Sequence, residues 1–135
     1  MLISALNSGA DCYMTDFEDS LTPTFDNLMQ GQLNIKDAIN KKIDFTDKDS
    51  GKEYKLNEKT AVLIIRPRGL HLDEKNVEIN GERVSGTFFD LVLSLFHNAK
   101  KLLENGSGPY FYLPKLEHYL ECRLLNDVIS FCEKK

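Results

Sequence analysis

Tryptophan is absent from the 135 residues, proline occurs four times and cysteine three. Three thiols cannot all pair within one chain. Cys12, Cys122 and Cys132 form no Cys-x-x-Cys knuckle, and His71, His97 and His118 stand at no metal-ligand spacing to them. Neither a disulfide scaffold nor a structural zinc is therefore expected, and reduced thiols in a cytoplasmic setting are. A basic surplus is missing too: 17 Lys and Arg against 21 Asp and Glu leave a net charge of -4. Nothing is left over to neutralise a phosphate backbone, so no nucleic-acid partner is expected. No apolar run approaches the ~20 residues that span a bilayer, so no membrane association is expected. The opening Met1-Leu2-Ile3-Ser4-Ala5 has neither the basic nor the long apolar part of an export signal. Repeats, low-complexity stretches and Gly/Ser linkers are absent as well. What is present, 41% hydrophobic and 28% charged residues, is the composition of ordinary folded protein.

The order of patterns points to α/β structure. Residues 10–18 (ADCYMTDFE) read as a short buried strand with an acidic end. Thr22-Pro23 reads as a helix cap followed by proline in the first turn. Gly31 is expected to interrupt that helix, with Asn34 capping a second one through Ile35, Ala38 and Ile39. Ile43 and Phe45, a polar turn at residues 47–51, then Tyr54 and Leu56 predict a hairpin. Residues 60–66 (TAVLIIR) are a continuous apolar run, which predicts a strand buried on both faces of a parallel sheet. Val77 and Ile79, then Asn80-Gly81, then Val84 predict a second hairpin. Phe88, Leu91, Val92, Leu95, Phe96, Ala99, Leu102 and Leu103 recur at helical spacing, with Thr87 as a candidate cap and Gly106 beyond the end. Residues 110–113 (YFYL) predict a third core strand, and Leu116, Leu120, Leu124, Val128 and Phe131 mark the buried face of a last helix. Three strand–helix units with hairpins inserted after the first two strands follow. A closed (β/α)₈ barrel takes ~250 residues, so the chain supplies about three of eight units of one. It opens and ends on elements rather than tails, as a single segment of a larger domain would.

Ligand-facing groups of such folds collect at the C-terminal ends of the strands. Three clusters stand there. In Asp16-Phe17-Glu18-Asp19-Ser20, strand alternation puts Asp16 and Glu18 on one face, where both would reach one cation or its waters; an acidic loop capping the next helix is the competing reading. Arg66 ends an entirely apolar strand. Its fork of donors suits a carboxylate or a developing oxyanion, or else it pairs structurally with Asp16 or Glu18. Arg68 and His71 behind it are weaker candidates. Lys115 and Glu117 follow the third strand, either as site residues or as surface charges at a helix start. His97 and Asn98 read as structural.

These clusters and their order resemble the malate synthases, particularly the shorter A-type enzymes. The resemblance is carried by ALNSGADCYMTDFEDSLTPTFDNLMQGQLNIKDAI, AVLIIRPRGLHLDEKNVEINGERVSG, FHNAKKLLENGSGPYFYLPKLE and RLLNDV, and runs from Leu2 to Glu133. Citrate-lyase-type enzymes share the acidic and Arg-ended strands but not RPRGLH or YFYLPKLE. The resemblance implies part of a (β/α)₈ barrel that condenses acetyl-CoA with glyoxylate to (S)-malate and CoA, with Mg²⁺. It implies that Arg66 contacts glyoxylate and stabilises the enolate oxygen, that Asp16 and Glu18 order waters beside the metal, and that Ser20 lies near the acyl-CoA. The family's direct metal ligands and its catalytic base have no counterpart in these 135 residues, and Glu117 does not replace them. The expectation is a fragment, inactive alone and prone to self-association. A non-catalytic half-barrel that binds CoA or a partner is the alternative. Its compartment is cytoplasmic, or a glyoxysome if the source is eukaryotic.

Overall fold

Three strand–helix units follow one another through residues 2–134, the part of the chain described by the computed structural model. A short helix α1 (Leu2–Leu6) leads into strand β1 (Cys12–Asp16) and helix α2 (Phe25–Ile39). The hairpin β2 (Asp44–Thr46) and β3 (Glu53–Lys55) precedes β4 (Val62–Arg66). A second hairpin, β5 (Asp73–Ile79) and β6 (Glu82–Ser85), runs into α3 (Gly86–Glu104). Strand β7 (Tyr110–Phe111) and α4 (Tyr119–Glu133) complete the order. The second hairpin turns on Asn80 and Gly81, whose φ of 56° and 83° are what a two-residue turn matching strand twist requires.

Strands β1, β4 and β7 form one parallel sheet in that order, with Cys12 opposite Val62, Asp16 opposite Arg66, and Ile64 opposite Tyr110. Tyr13, Thr15, Leu63, Ile65 and Phe111 face α2 and α3. The core gathers there around Leu6, Phe17, Leu28, Ile35, Ile39, Leu63, Ile65 and Leu102. Each such side chain taken fully out of water contributes about 1.5–3 kcal/mol relative to exposure. The other face is open, with Met14 and Val62 each 39% exposed and Tyr110 51%. Burial of β4 on both faces is therefore not realised. The sheet does not close, and its Val62 side is left partly open to solvent.

Helix α2 corrects the expected break. It is continuous through Gly31, whose missing side chain makes room for Phe17: a Cβ there would lie 2.6 Å from the Phe17 ring. Its cap is Thr24, which accepts from the Asn27 amide, and not Thr22; Pro23 lies outside the helix, and Asn34 is interior. Helix α3 starts at Gly86 behind Ser85, so Thr87 lies inside it and is buried, while Gly106 ends it at φ 76° as expected. The face that α3 buries is also displaced from its apolar stripe. Thr87, Asp90, Ser94 and Asn98 are buried with Leu91 and Leu102, and Val92, Phe96 and Leu103 are exposed. Short polar side chains let α3 approach α2, and Ser94 and the Asp90 carbonyl bond Gln32 across the seam at 3.0 and 3.1 Å.

The last helix departs most. It begins at Tyr119 behind a His118 and Glu121 capping box, after residues 115–118. Of its residues only Leu125 is buried, and Leu120, Leu124 and Phe131 of the expected core face are exposed. β7 is the edge of the sheet, so α4 has no further strand to lie across.

Candidate active face

The C-terminal ends of β1 and β4 and the segment after β7 converge on one charged cluster. Register fixes its centre. Asp16 and Arg66 are paired across the ladder, with Arg66 Nε donating to Asp16 Oδ1 at 2.8 Å and Nη2 to Oδ2 at 2.6 Å. Nη2 also reaches Asp19 Oδ2 at 3.1 Å. Nη1 donates to nothing among the described residues. Beyond β1 the backbone folds over the Asp16 carboxylate, which accepts from the amides of Glu18, Asp19 and Ser20. Burial would raise the Asp16 carboxyl, but the Arg66 fork and these donors outweigh it and hold it well below the usual carboxylate range.

Strand alternation does not extend to Glu18, because β1 ends at Asp16. The Glu18 side chain is fully buried and turns to other partners, accepting from Lys115 Nζ at 2.6 Å and from the Gly69 amide. His71 is exposed, with Nε2 3.8 Å from Glu18 Oε1. Lys115 also donates to Asp19 Oδ1 at 2.8 Å, and this bond to Asp19, with that to Glu18, raises its pKa. It does so from a left-handed backbone, φ 54°, which is uncommon for a residue with a side chain. Lys115 is thus a member of the cluster rather than a charge at a helix start. Asp19 joins Arg66 to Lys115, so one chain of contacts runs Asp16, Arg66, Asp19, Lys115, Glu18.

Ser20 is exposed beside this chain and opens onto a cleft of about 210 Å³ that Tyr13, Leu21 and Asn34 help to line. Glu117 stays outside the cluster; its amide donates to Glu121 Oε2 in the α4 cap. Arg68 is not at the open face at all. It is buried against α3, donating through Nε and Nη2 to Asp90 and through Nη1 to Glu74.

An Mg²⁺ cage does not fit these residues as they stand. Every oxygen of Asp16, Glu18 and Asp19 already accepts from an arginine, a lysine or a backbone amide. Among the described residues no group of three or more His, Cys, Asp or Glu is arranged to hold a metal. Cys12, Cys122 and Cys132 are all unpaired.

Two residues of the neighbouring buried cluster carry almost no signal in the sequence. Asp90 and Glu74 hold Arg68, and the one available signal was an acid within the apolar run of α3. Lys115, a site candidate after the third strand, is placed in the cluster by contacts made from a positive φ that leaves no trace in composition.

A family model described as the malate synthase TIM barrel domain matches residues 62–135. The chain is 52% identical to malate synthase of Myxococcus xanthus over 133 residues, 98% of this chain and 24% of that protein. It is 53% identical to the bifunctional glyoxylate cycle protein of Caenorhabditis elegans, covering 100% of this chain and 14% of that one. With glyoxysomal malate synthase of Brassica napus the identity is 49%, over 99% and 24%. The chain thus spans a quarter or less of the length of these curated relatives.

Proposed function

This chain belongs to the malate synthase family, and from that premise we propose that it supplies part of the active face on which acetyl-CoA condenses with glyoxylate. The observation that carries the reading is the position of Arg66. It ends a parallel strand, its Nε–Nη2 edge is fixed by Asp16, and its Nη1 donates to nothing among the described residues. A guanidinium oriented in this way is pre-organised for an oxygen that gains negative charge, as the enolate of acetyl-CoA does when its carbon attacks the aldehyde of glyoxylate. Arg66 is the residue assigned to that oxygen and to glyoxylate, and Ser20 is assigned to the acyl-CoA side. Asp16 and Glu18 would meet an Mg²⁺ of the whole enzyme through its waters rather than as direct ligands, since their own oxygens are occupied. By itself the chain is inactive and associates with itself. Its setting is the cytoplasm, or the glyoxysome that the plant relatives' names mention.

The test replaces the matching segment of the Myxococcus xanthus enzyme with residues 1–135 and assays CoA release from acetyl-CoA and glyoxylate with Mg²⁺. Turnover by the chimera is expected. Arg66→Lys keeps the charge but loses the planar fork, and should lower kcat by about 10²-fold in a chimera that remains folded. Parental kcat with a lowered melting temperature would leave Arg66 a purely structural partner of Asp16.

A further inference from the structure

The chain buries a second arginine two residues beyond Arg66, and this one touches no open surface. Arg68 is 3% exposed, and Glu74 and Asp90 are 1% and 0%. Four donors fix it: its own amide, Nε and Nη2 bond Asp90 at 3.0, 2.9 and 2.9 Å, and Nη1 bonds Glu74 at 3.0 Å. The remaining oxygen of Glu74 is held by the amide and side chain of Asn76, both at 2.9 Å. The Phe89 ring lies 5.9 Å from the guanidinium carbon. The start of α3 is shaped to admit the group, because a Cβ on Gly86 would come within 3.1 Å of Arg68 Nε and 2.9 Å of the Leu72 carbonyl.

A buried cluster of one cation and two anions is a poor source of stability. Desolvation offsets the attraction, and well-packed apolar residues of similar volume serve as well or better. What such a cluster does supply is direction, since a guanidinium and two carboxylates mate in few geometries. Here the direction is imposed on the backbone itself, because Asp90 binds the Arg68 amide as well as its side chain. Pro67 is buried and stiffens the step back to Arg66. On the other side, the Gly69 amide donates to Glu18. The turn at Gly69 lies close against Glu18, with a Cβ there 3.4 Å from Glu18 Oε1.

We infer that Asp90 and Glu74, through Arg68, are positioning residues that set the aim of Arg66 and of the Gly69 amide at the active face. The inference rests on the reading of Arg66 as the oxygen-binding residue. α3 and β5 form one jaw, Pro67 is the lever, and the bonds to Asp16 and Glu18 are what it places.

Hydrogen exchange in the ¹⁵N-labelled full chain tests this, with the Arg66 Nε–H and the Gly69 amide as reporters. Asp90→Asn should speed exchange of both by about tenfold or more and shift their resonances, while amides of the β1–β4 ladder keep their protection. Glu74→Gln, which leaves the Asp90 bonds in place, should give the same pattern more weakly. Reporters that do not move, or that loosen only in step with the ladder, would overturn the inference. So would failure of both variants to fold, which would make the cluster a support of the whole fold. The readout is exchange and not turnover, so it stands apart from the chimera assay. An inactive chimera with intact coupling would reject the role of Arg66 and keep the lever.

Discussion

Asp16 and Arg66 are register partners across β1 and β4, and the arginine grips both oxygens of the carboxylate it faces. Their meeting is a consequence of the core rather than of the charges. Leu63 and Ile65 on β4 and Thr15 on β1 face the helices, which puts Asp16 and Arg66 together on the opposite face. A slip of one residue would send Arg66 to the helix side and bury a charge without its partner, so hydrophobic register and site geometry are one specification. Glu18 and Lys115 lie past the strand ends and are placed by loops instead.

The Asp16 carboxyl titrates below its ordinary range in the folded chain, chiefly because the Arg66 fork outweighs burial. A carboxyl shifted this way contributes stability that is present above its unfolded pKa and is lost as pH falls through the folded one. Asp16→Asn should therefore cost about 2 kcal/mol at pH 7, with the gap to the parent closing as pH drops below about 4. Urea unfolding at pH 7, 5 and 3 measures it. A gap that is constant with pH would mean that the carboxylate contributes shape and not charge.

Gly31 sets two rules against each other. Alanine in a helix interior is favoured over glycine by about 1 kcal/mol. Its Cβ, however, would lie 2.6 Å from a Phe17 ring that is itself in the core. Overpacking of that kind costs about 1–3 kcal/mol, so Gly31→Ala should destabilise the chain on balance. Adding Phe17→Leu should recover part of the loss. Thermal unfolding of the single and double variants decides, and a raised melting temperature for Gly31→Ala would mean that Phe17 moves aside without penalty.

The same glycine shows why part of the fold could not be read in advance. Elements with a local signature were legible: the Asn80-Gly81 turn, the apolar run of β4, the Gly106 end of α3. Gly31 carries the local signature of a breaker, while its reason, a ring 14 residues away in sequence, is a tertiary contact. The faces of α3 and α4 were misplaced for a related cause. Apolar spacing marks which side of a helix could be buried, whereas the open edge at β7 and the Arg68–Asp90 pairing decide which side is. At the site, Asp16 and Arg66 were legible as strand ends. Lys115 was legible as a candidate after the third strand, whereas its reach to Glu18 was not, since that depends on the loop conformation after Pro114.

Exposed apolar stripes give the isolated chain a reason to associate. Phe96 is 83% exposed on α3, and Leu120 and Leu124 lie exposed on α4. The Met14 and Val62 side of the sheet is open as well. Light scattering should find oligomers at tens of micromolar, and Phe96→Lys with Leu124→Glu should shift the distribution toward monomer. Equal distributions for parent and variant would move the contact to the open face of the sheet.

The last expectation concerns the metal. Mg²⁺ requires near-octahedral oxygen ligands and gives up its waters reluctantly. Asp16, Glu18 and Asp19 could serve it only by releasing Arg66, Lys115 or the amides they now accept from. Two cations of the protein already neutralise most of the three carboxylates, so a divalent ion gains little by displacing them. Titration calorimetry of the chain with Mg²⁺ should show no saturable site at micromolar concentrations. In the same solution acetyl-CoA and glyoxylate should release no CoA thiol. Deprotonating the acetyl methyl group needs a base with an available lone pair within hydrogen-bond reach, and Glu18 is engaged with Lys115 and Gly69. A stoichiometric micromolar Mg²⁺ site, or thiol release abolished by Glu18→Gln, would make these 135 residues a catalyst in their own right and would require the Lys115 bridge to open during turnover.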